Sequence, residues 1–233
     1  MDKKLCLMLV EGPFDRQRLS LLSGLFDSTK LVIIPFGTDT LTSKNYYLNF
    51  NEKIDSVLHK EKTYDRADFS EFVQICDTDG CFIDETYIKE NPLIPHVQYL
   101  DKSIEVVELS GLLQPRRNKQ ENINKLLESN EIRLFYNSTN IDHVFDNLRN
   151  PTNRQKSSSA LKMYIKYSDN RKEFLKALIE VCPVTSDYKE SWTYVKTGFN
   201  SLKRCSNISF FVLEHFDDLL DEYKNFLKIE LNL

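Results

Sequence analysis

Read from its start, the chain alternates two kinds of apolar pattern. "KLCLMLV" (4–10), "KLVIIPF" (30–36), "EFVQIC" (71–76) and "EIRLFYN" (131–137) are short, largely apolar runs that read as strands. Between them stand segments with helical spacing. Residues from Phe14 to Phe26 repeat apolar positions at Leu19, Leu22 and Phe26, a polar segment from about Ser43 to Lys60 follows, and "NKQENINKLLES" (118–129) precedes the fourth strand. Strands separated by helices predict an α/β fold with a mainly parallel sheet flanked by helices. Residues 81–117 are less regular: Pro92, Pro95 and Pro115 read as breakers, with "HVQYL" and "SIEVVEL" as short elements. From Asn140 onward every segment has helical spacing, which predicts a C-terminal helical extension. The polar loop "RNPTNRQKSSS" (149–159) is the boundary this suggests, giving residues 1–148 as an α/β domain and 149–233 as the extension.

Composition narrows the classes. With 233 residues the chain can bury one sizeable core, or one core and a small appendage. No apolar run approaches the roughly 18 residues of a membrane span, so no membrane partner is expected. The start "MDKKLCLMLVEG" lacks a small-residue cleavage site and reads as a first strand. Five cysteines without a C-x-x-C pair argue against a disulfide framework or a zinc knuckle and predict a reducing, cytoplasmic setting. The net charge of −4 gives no global affinity for polyanions, so any such site must be local. With six glycines and no G-x-x-x-x-G-K-[ST], the sequence offers no P-loop for ATP.

The chemistry suggested by the sequence lies where strands stop. Glu11 follows the first strand, and Asp77 and Asp79 follow the third in "DTDG". In an open parallel sheet the strand C-termini share one rim, where ligands of such sheets bind. Carboxylates gathered there raise one another's pKa unless a cation lies between them, and hard oxygen donors select Mg2+ or Mn2+ over zinc. Each residue also has a plainer reading. Asp15 suits the first turn of a helix opened by Gly12-Pro13, and the "DTDG" aspartates suit a turn. An EF-hand starting at Asp77 fails, because Gly80 falls at the fourth loop position and Ile88 at the twelfth.

The succession of "VEGPFD" at the end of a strand, a helix, further α/β elements and "VQICDTDG" resembles the TOPRIM domain of topoisomerases, primases, OLD-family nucleases and anti-phage effectors, over roughly residues 4–140. The resemblance implies Glu11 as general acid or base and Asp77 and Asp79 as metal ligands. OLD-type nucleases add the aspartate four residues after the glutamate, here Asp15. Their downstream carboxylate and lysine correspond to Asp142 and Lys162, with Lys156 as rival. The chain has no room for the further domains of topoisomerases or primases, which favours a metal-dependent endonuclease acting on DNA or RNA. By the same resemblance it would be a toxic effector of antiviral defence, working beside an ATPase or regulatory subunit, with a homodimer left open. Arg116 and Arg117 in "QPRRNKQ", and Arg154 and Lys156 in "RNPTNRQKSSSALK", are the candidates for nucleic-acid contacts. Two other readings compete. "FVQICDTDGCFID" resembles the first motif of haloacid-dehalogenase-type phosphatases, with Asp77 as nucleophile and Asp79 as acid or base, although Cys81 stands where Thr or Val is usual. A TOPRIM-like binding module without chemistry is the other.

Overall fold

The computed structural model describes residues 4–37, 41–61, 64–129 and 131–231. Strand β1 (Lys4–Val10) leads into α1 (Pro13–Ser23), then β2 (Leu31–Gly37), α2 (Phe50–Glu61) and β3 (Glu71–Asp77). A second, small sheet follows, made of β4 (Ile88–Glu90), β5 (Gln98–Tyr99) and β6 (Ile104–Val106) in the order β4-β6-β5. Helix α3 (Leu109–Ser129) returns the chain to β7 (Arg133–Asn137), after which come α4 (Ile141–Asp146), α5 (Asn153–Ser168), α6 (Arg171–Glu180), α7 (Tyr188–Val195), α8 (Ile208–Glu214) and α9 (Asp221–Leu231).

The main sheet has the order β2-β1-β3-β7 with every pair parallel, as the strand–helix alternation predicts. Its central strands are covered on both faces, which is why β1 and β3 read as continuous apolar runs. Cys6, Met8 and Val10 point into one core with Ile75 and Phe135, while Leu7 and Leu9 point into the other with Cys76, Leu134 and Tyr136. The period of two in each strand thus sorts side chains between two helical layers.

The structure departs from the sequence expectations at four places. Helix α1 stops at Ser23, before Gly24, and Phe26 instead forms a β-bridge with Leu219. Helix α3 begins at Leu109 and runs through Pro115, where a breaker was expected and a helix start at 118. Part of the expected 149–159 loop is helical, because Thr152 and Gln155 form a capping box that opens α5. The expected boundary there does not divide the core: Phe174, Leu175, Ile208, Phe211 and Val212 pack in one cluster with Met8, Ile33 and Phe135. Trp192 and Val195 of α7 join the opposite cluster, against Leu134 and Tyr136. All five cysteines are free, and no helix among the described residues is long and apolar enough to cross a membrane.

Candidate metal and phosphate cleft

The parallel register brings the ends of β1 and β3 to the same rim, where Val10 pairs with Ile75 and Asp77 with Asn137. Glu11 leaves β1 one residue later. Gly12, in extended conformation, and Pro13 turn the chain into α1, which sets Asp15 in the first helical turn beside the same rim. After β3 the chain reverses through two left-handed residues, Asp79 (φ 48°) and Gly80 (φ 61°). At Gly80 the left-handed backbone favours glycine, and a Cβ there would lie 2.7 Å from Leu202 Cδ2 and 2.8 Å from Ile104 Cδ1, so those side-chain ends would have to shift. The turn is braced by β7: Thr78 N donates to Asn137 O (2.8 Å) and Asp79 N to Thr139 O (2.9 Å). Asn140 caps α4 and places Asp142 in its first turn.

Glu11, Asp15, Asp77, Asp79 and Asp142 all line one cleft of about 440 Å³. The same cleft is lined by His96, Tyr99, Arg149, Asn150 and Lys156. Tyr99 and Asn150 are tied together by a reciprocal pair of bonds, Tyr99 N to Asn150 Oδ1 (2.7 Å) and Asn150 Nδ2 to Tyr99 O (3.0 Å). Arg149 is braced by Asp101 at 2.7 Å.

The acidic wall holds two cations of its own. Lys119 of α3 is only 1% exposed, and its ammonium donates to Glu11 Oε1 (2.8 Å), Asp79 Oδ2 (2.5 Å) and the Asp77 carbonyl (2.8 Å). Burial by itself would lower its pKa, but Asp79 and Glu11 outweigh that and hold it well above the usual lysine value. Arg18 of α1 is wholly buried and donates through Nη2 to Asp142 and to Ser159 Oγ (2.9 Å), with its Nη1 3.8 Å from Asp15. Arg18 Nε and Nη1 have no hydrogen-bond partner.

These cations leave negative charge unmatched. Asp77 accepts a bond from Asn137 Nδ2 (3.2 Å), a neutral amide, and its carboxyl is raised well above the ordinary value by burial, then by Asp15, Glu11 and Asp79, with Lys119 opposing. Asp15 is pushed up to about 6, chiefly by burial, with Arg18 opposing and Asp142 adding. Burial also raises Asp142, against the pull of Arg18. Among the described residues no group of three or more His, Cys, Asp or Glu side chains is placed to hold a metal ion, and Lys119 lies between Glu11 and Asp79.

The basic candidates divide. Lys156 lines the cleft, whereas Lys162 lines a separate depression with Asp146, Gln155 and Ser159. Arg116 is buried and donates to the carbonyls of Gly80 (3.4 Å) and Ile83, so it braces the turn after β3 and is not available to a nucleic acid. Arg117 is exposed in a two-pronged pair with Glu85 (2.7 and 2.6 Å), and Arg154 is exposed near the start of α5 without lining the cleft. His143, next to Asp142, is buried and pushed down to about 4 by desolvation and by Arg149. Sequence reasoning did not single out Arg18, Asn137 or Tyr99 for the site, and it reached Lys119 only as one cation of the basic stretch "QPRRNKQ", as a phosphate-backbone contact. A signal for Lys119 existed: residues 116, 119, 123 and 126 share one buried face of α3.

Comparisons with protein families, with curated proteins and with solved structures find no match for this chain.

Proposed function

We propose that the cleft hydrolyses phosphodiester bonds of nucleic acid with the help of a divalent cation. The supporting observation is the convergence of five carboxylates from β1, α1, β3 and α4 on one cleft, with Asp15 and Asp77 left in mutual repulsion. The donors are all oxygen, which suits Mg2+ or Mn2+. Asp15 and Asp77 would hold the ion. When bound, such an ion supplies a water of lowered pKa and neutralises phosphate charge. Lys119 donates to Glu11 Oε1 at 2.8 Å and fixes it beside the Asp77 amide, which also donates to it at 3.2 Å. Arg149 and Lys156, which line the same cleft, would orient the phosphate, and Lys156 rather than Lys162 would oppose developing negative charge. The family resemblance adds to this proposal a toxic effector role beside an ATPase partner, since the chain has no P-loop.

The test is incubation of the purified chain with plasmid, linear DNA and total RNA, with and without Mg2+. Cleavage by the wild type in Mg2+, reduced about 100-fold or more in both Glu11→Ala and Asp77→Ala, is the expected result. Cleavage by both variants equal to that of the wild type refutes the assignment. Hydrolysis of an aryl phosphate that Asp77→Asn abolishes, without any polymer cleavage, would instead mark the phosphatase chemistry.

A further inference from the structure

We propose that the outward face of α5 is a docking surface for an acidic amphipathic helix of a partner protein. This surface is independent of the chemistry of the cleft.

A helix laid on the outside of a core is expected to be apolar on one face. Helix α5 is apolar on two. Ala160, Met163 and Tyr167 are buried, and Met163 and Tyr167 join the core cluster of Leu19, Leu22 and Phe174. Leu161, Tyr164 and Ile165 lie outside it and are 51%, 40% and 64% exposed. Their spacing, i, i+3 and i+4, sets them side by side on the helix surface. Arg154, Ser157 and Ser168 continue the same row at heptad spacing, a stripe about 21 Å long at 1.5 Å per residue. No other α-helix among the described residues exposes more than one large apolar side chain.

The charge on this surface has one sign. From Asn153 to Ser168 the helix holds Arg154, Lys156, Lys162 and Lys166 and no Asp or Glu, in a chain whose net charge is −4. Lys156 lines the cleft. Lys162 and Lys166, one turn apart, flank the apolar row, and Arg154 stands toward its N-terminal end. Among the described residues neither Arg154 nor Lys162 has an ion-pair or hydrogen-bond partner. Asp146 lines a depression of about 390 Å³ with Ser158 and Lys162, but its carboxylate is taken up by Ser159 Oγ. The next acid along the chain is Asp169, at the helix C-cap.

An apolar row flanked by unmatched cations is complemented by a helix with apolar residues at a and d and Glu or Asp beside them, as flanking charges choose partners in coiled coils. The lysine stems would add to the apolar contact while their heads reach the carboxylates. Two other occupants fit less well. A second copy of α5 would set these cations against one another. A nucleic acid would match the cations, yet its bases stack on aromatic rings, and Leu161 and Ile165 offer none.

The test is fluorescence anisotropy of the full chain with a fluorescein-labelled synthetic peptide of about three heptads, Leu at a and d and Glu at e and g, beside the same peptide with Lys in place of Glu. The acidic peptide is expected to bind, about 10-fold or more weakly to Ile165→Asp, Leu161→Asp and Lys162→Glu, and the basic peptide not to bind. All three substitutions fall at exposed positions, so circular dichroism is expected to show each variant folded. No binding of the acidic peptide, equal binding of the basic one, or binding unchanged in Ile165→Asp and Leu161→Asp overturns the proposal. A labelled single-stranded oligonucleotide that binds the wild type and Ile165→Asp alike but not Lys162→Glu would mark a phosphate track instead. A dimer in sedimentation that Ile165→Asp breaks would mark a second copy as the occupant. Either result also overturns the proposal.

Discussion

Single residues in this protein are governed by whether a buried charge finds its counter-charge. His215 is a case away from the cleft. Both ring nitrogens face acceptors, Nδ1 the Phe211 carbonyl at 2.9 Å and Nε2 Glu71 at 2.8 Å, so the doubly protonated ring satisfies both. Burial alone would lower its pKa, but Glu71, the Phe211 carbonyl and Asp218 together raise it above 6.5. A raised folded-state value means that the stability His215 contributes is fully present below the unfolded pKa of about 6.5 and is lost as pH rises through the folded value. The melting temperature of His215→Asn, compared with wild type from pH 5.5 to 9, is expected to lag most at the acidic end, with the gap narrowing toward alkaline pH. A constant gap would show that the pair with Glu71 does not carry the effect. The strand-ending carboxylates belong to this scale too. Glu11, Asp77 and Asp79 were legible because charges after apolar runs are unusual, whereas Lys119 and Arg18 were not, since a lysine or arginine on a helix is ordinarily a solvated residue.

At the scale of elements, α3 shows how local signals mislead. Pro115 removes one backbone donor and normally ends a helix, so the expected element started at 118. The helix instead extends back to Leu109, and its buried face, with Arg116, Lys119, Asn122, Ile123 and Leu126, is what sustains it. Propensity is a weak term here and packing the larger one. Gly111 lies in the first turns of this helix, exposed, with nothing within 4 Å of a Cβ placed there. Gly111→Ala is therefore expected to stabilise the protein by about 0.5–1 kcal/mol, measured by urea unfolding, with the m-value unchanged. A destabilised variant would mean that Pro115 bends the helix at a point where glycine is required. The strands of the main sheet behaved differently, their observed bounds lying within two residues of the expected ones, because strands covered on both faces read as short continuous apolar runs bounded by polar residues.

At the scale of the molecule, the helices after Asn140 form layers of the α/β core itself. Phe211 packs edge-on against Phe26 (5.8 Å) and Phe135 (5.7 Å), linking α8 to the segment after α1 and to β7. Calorimetry is accordingly expected to show one unfolding transition, which Phe211→Ala lowers as a whole by about 3–5 kcal/mol. Two transitions, of which only one moves, would restore a division near residue 149. The sequence by itself determined the parallel α/β plan and the acidic rim, because hydrophobic periodicity and the position of charges relative to strand ends are local properties of the chain. Only the tertiary structure decided that Lys119 enters the acidic rim from 108 residues away and that Arg18 reaches Asp142 across 124. It alone also joined the last helices to the first core. Each of these depends on which helix face packs against which strand end, and a buried charge is matched by its neighbours in space, which no spacing along the chain records.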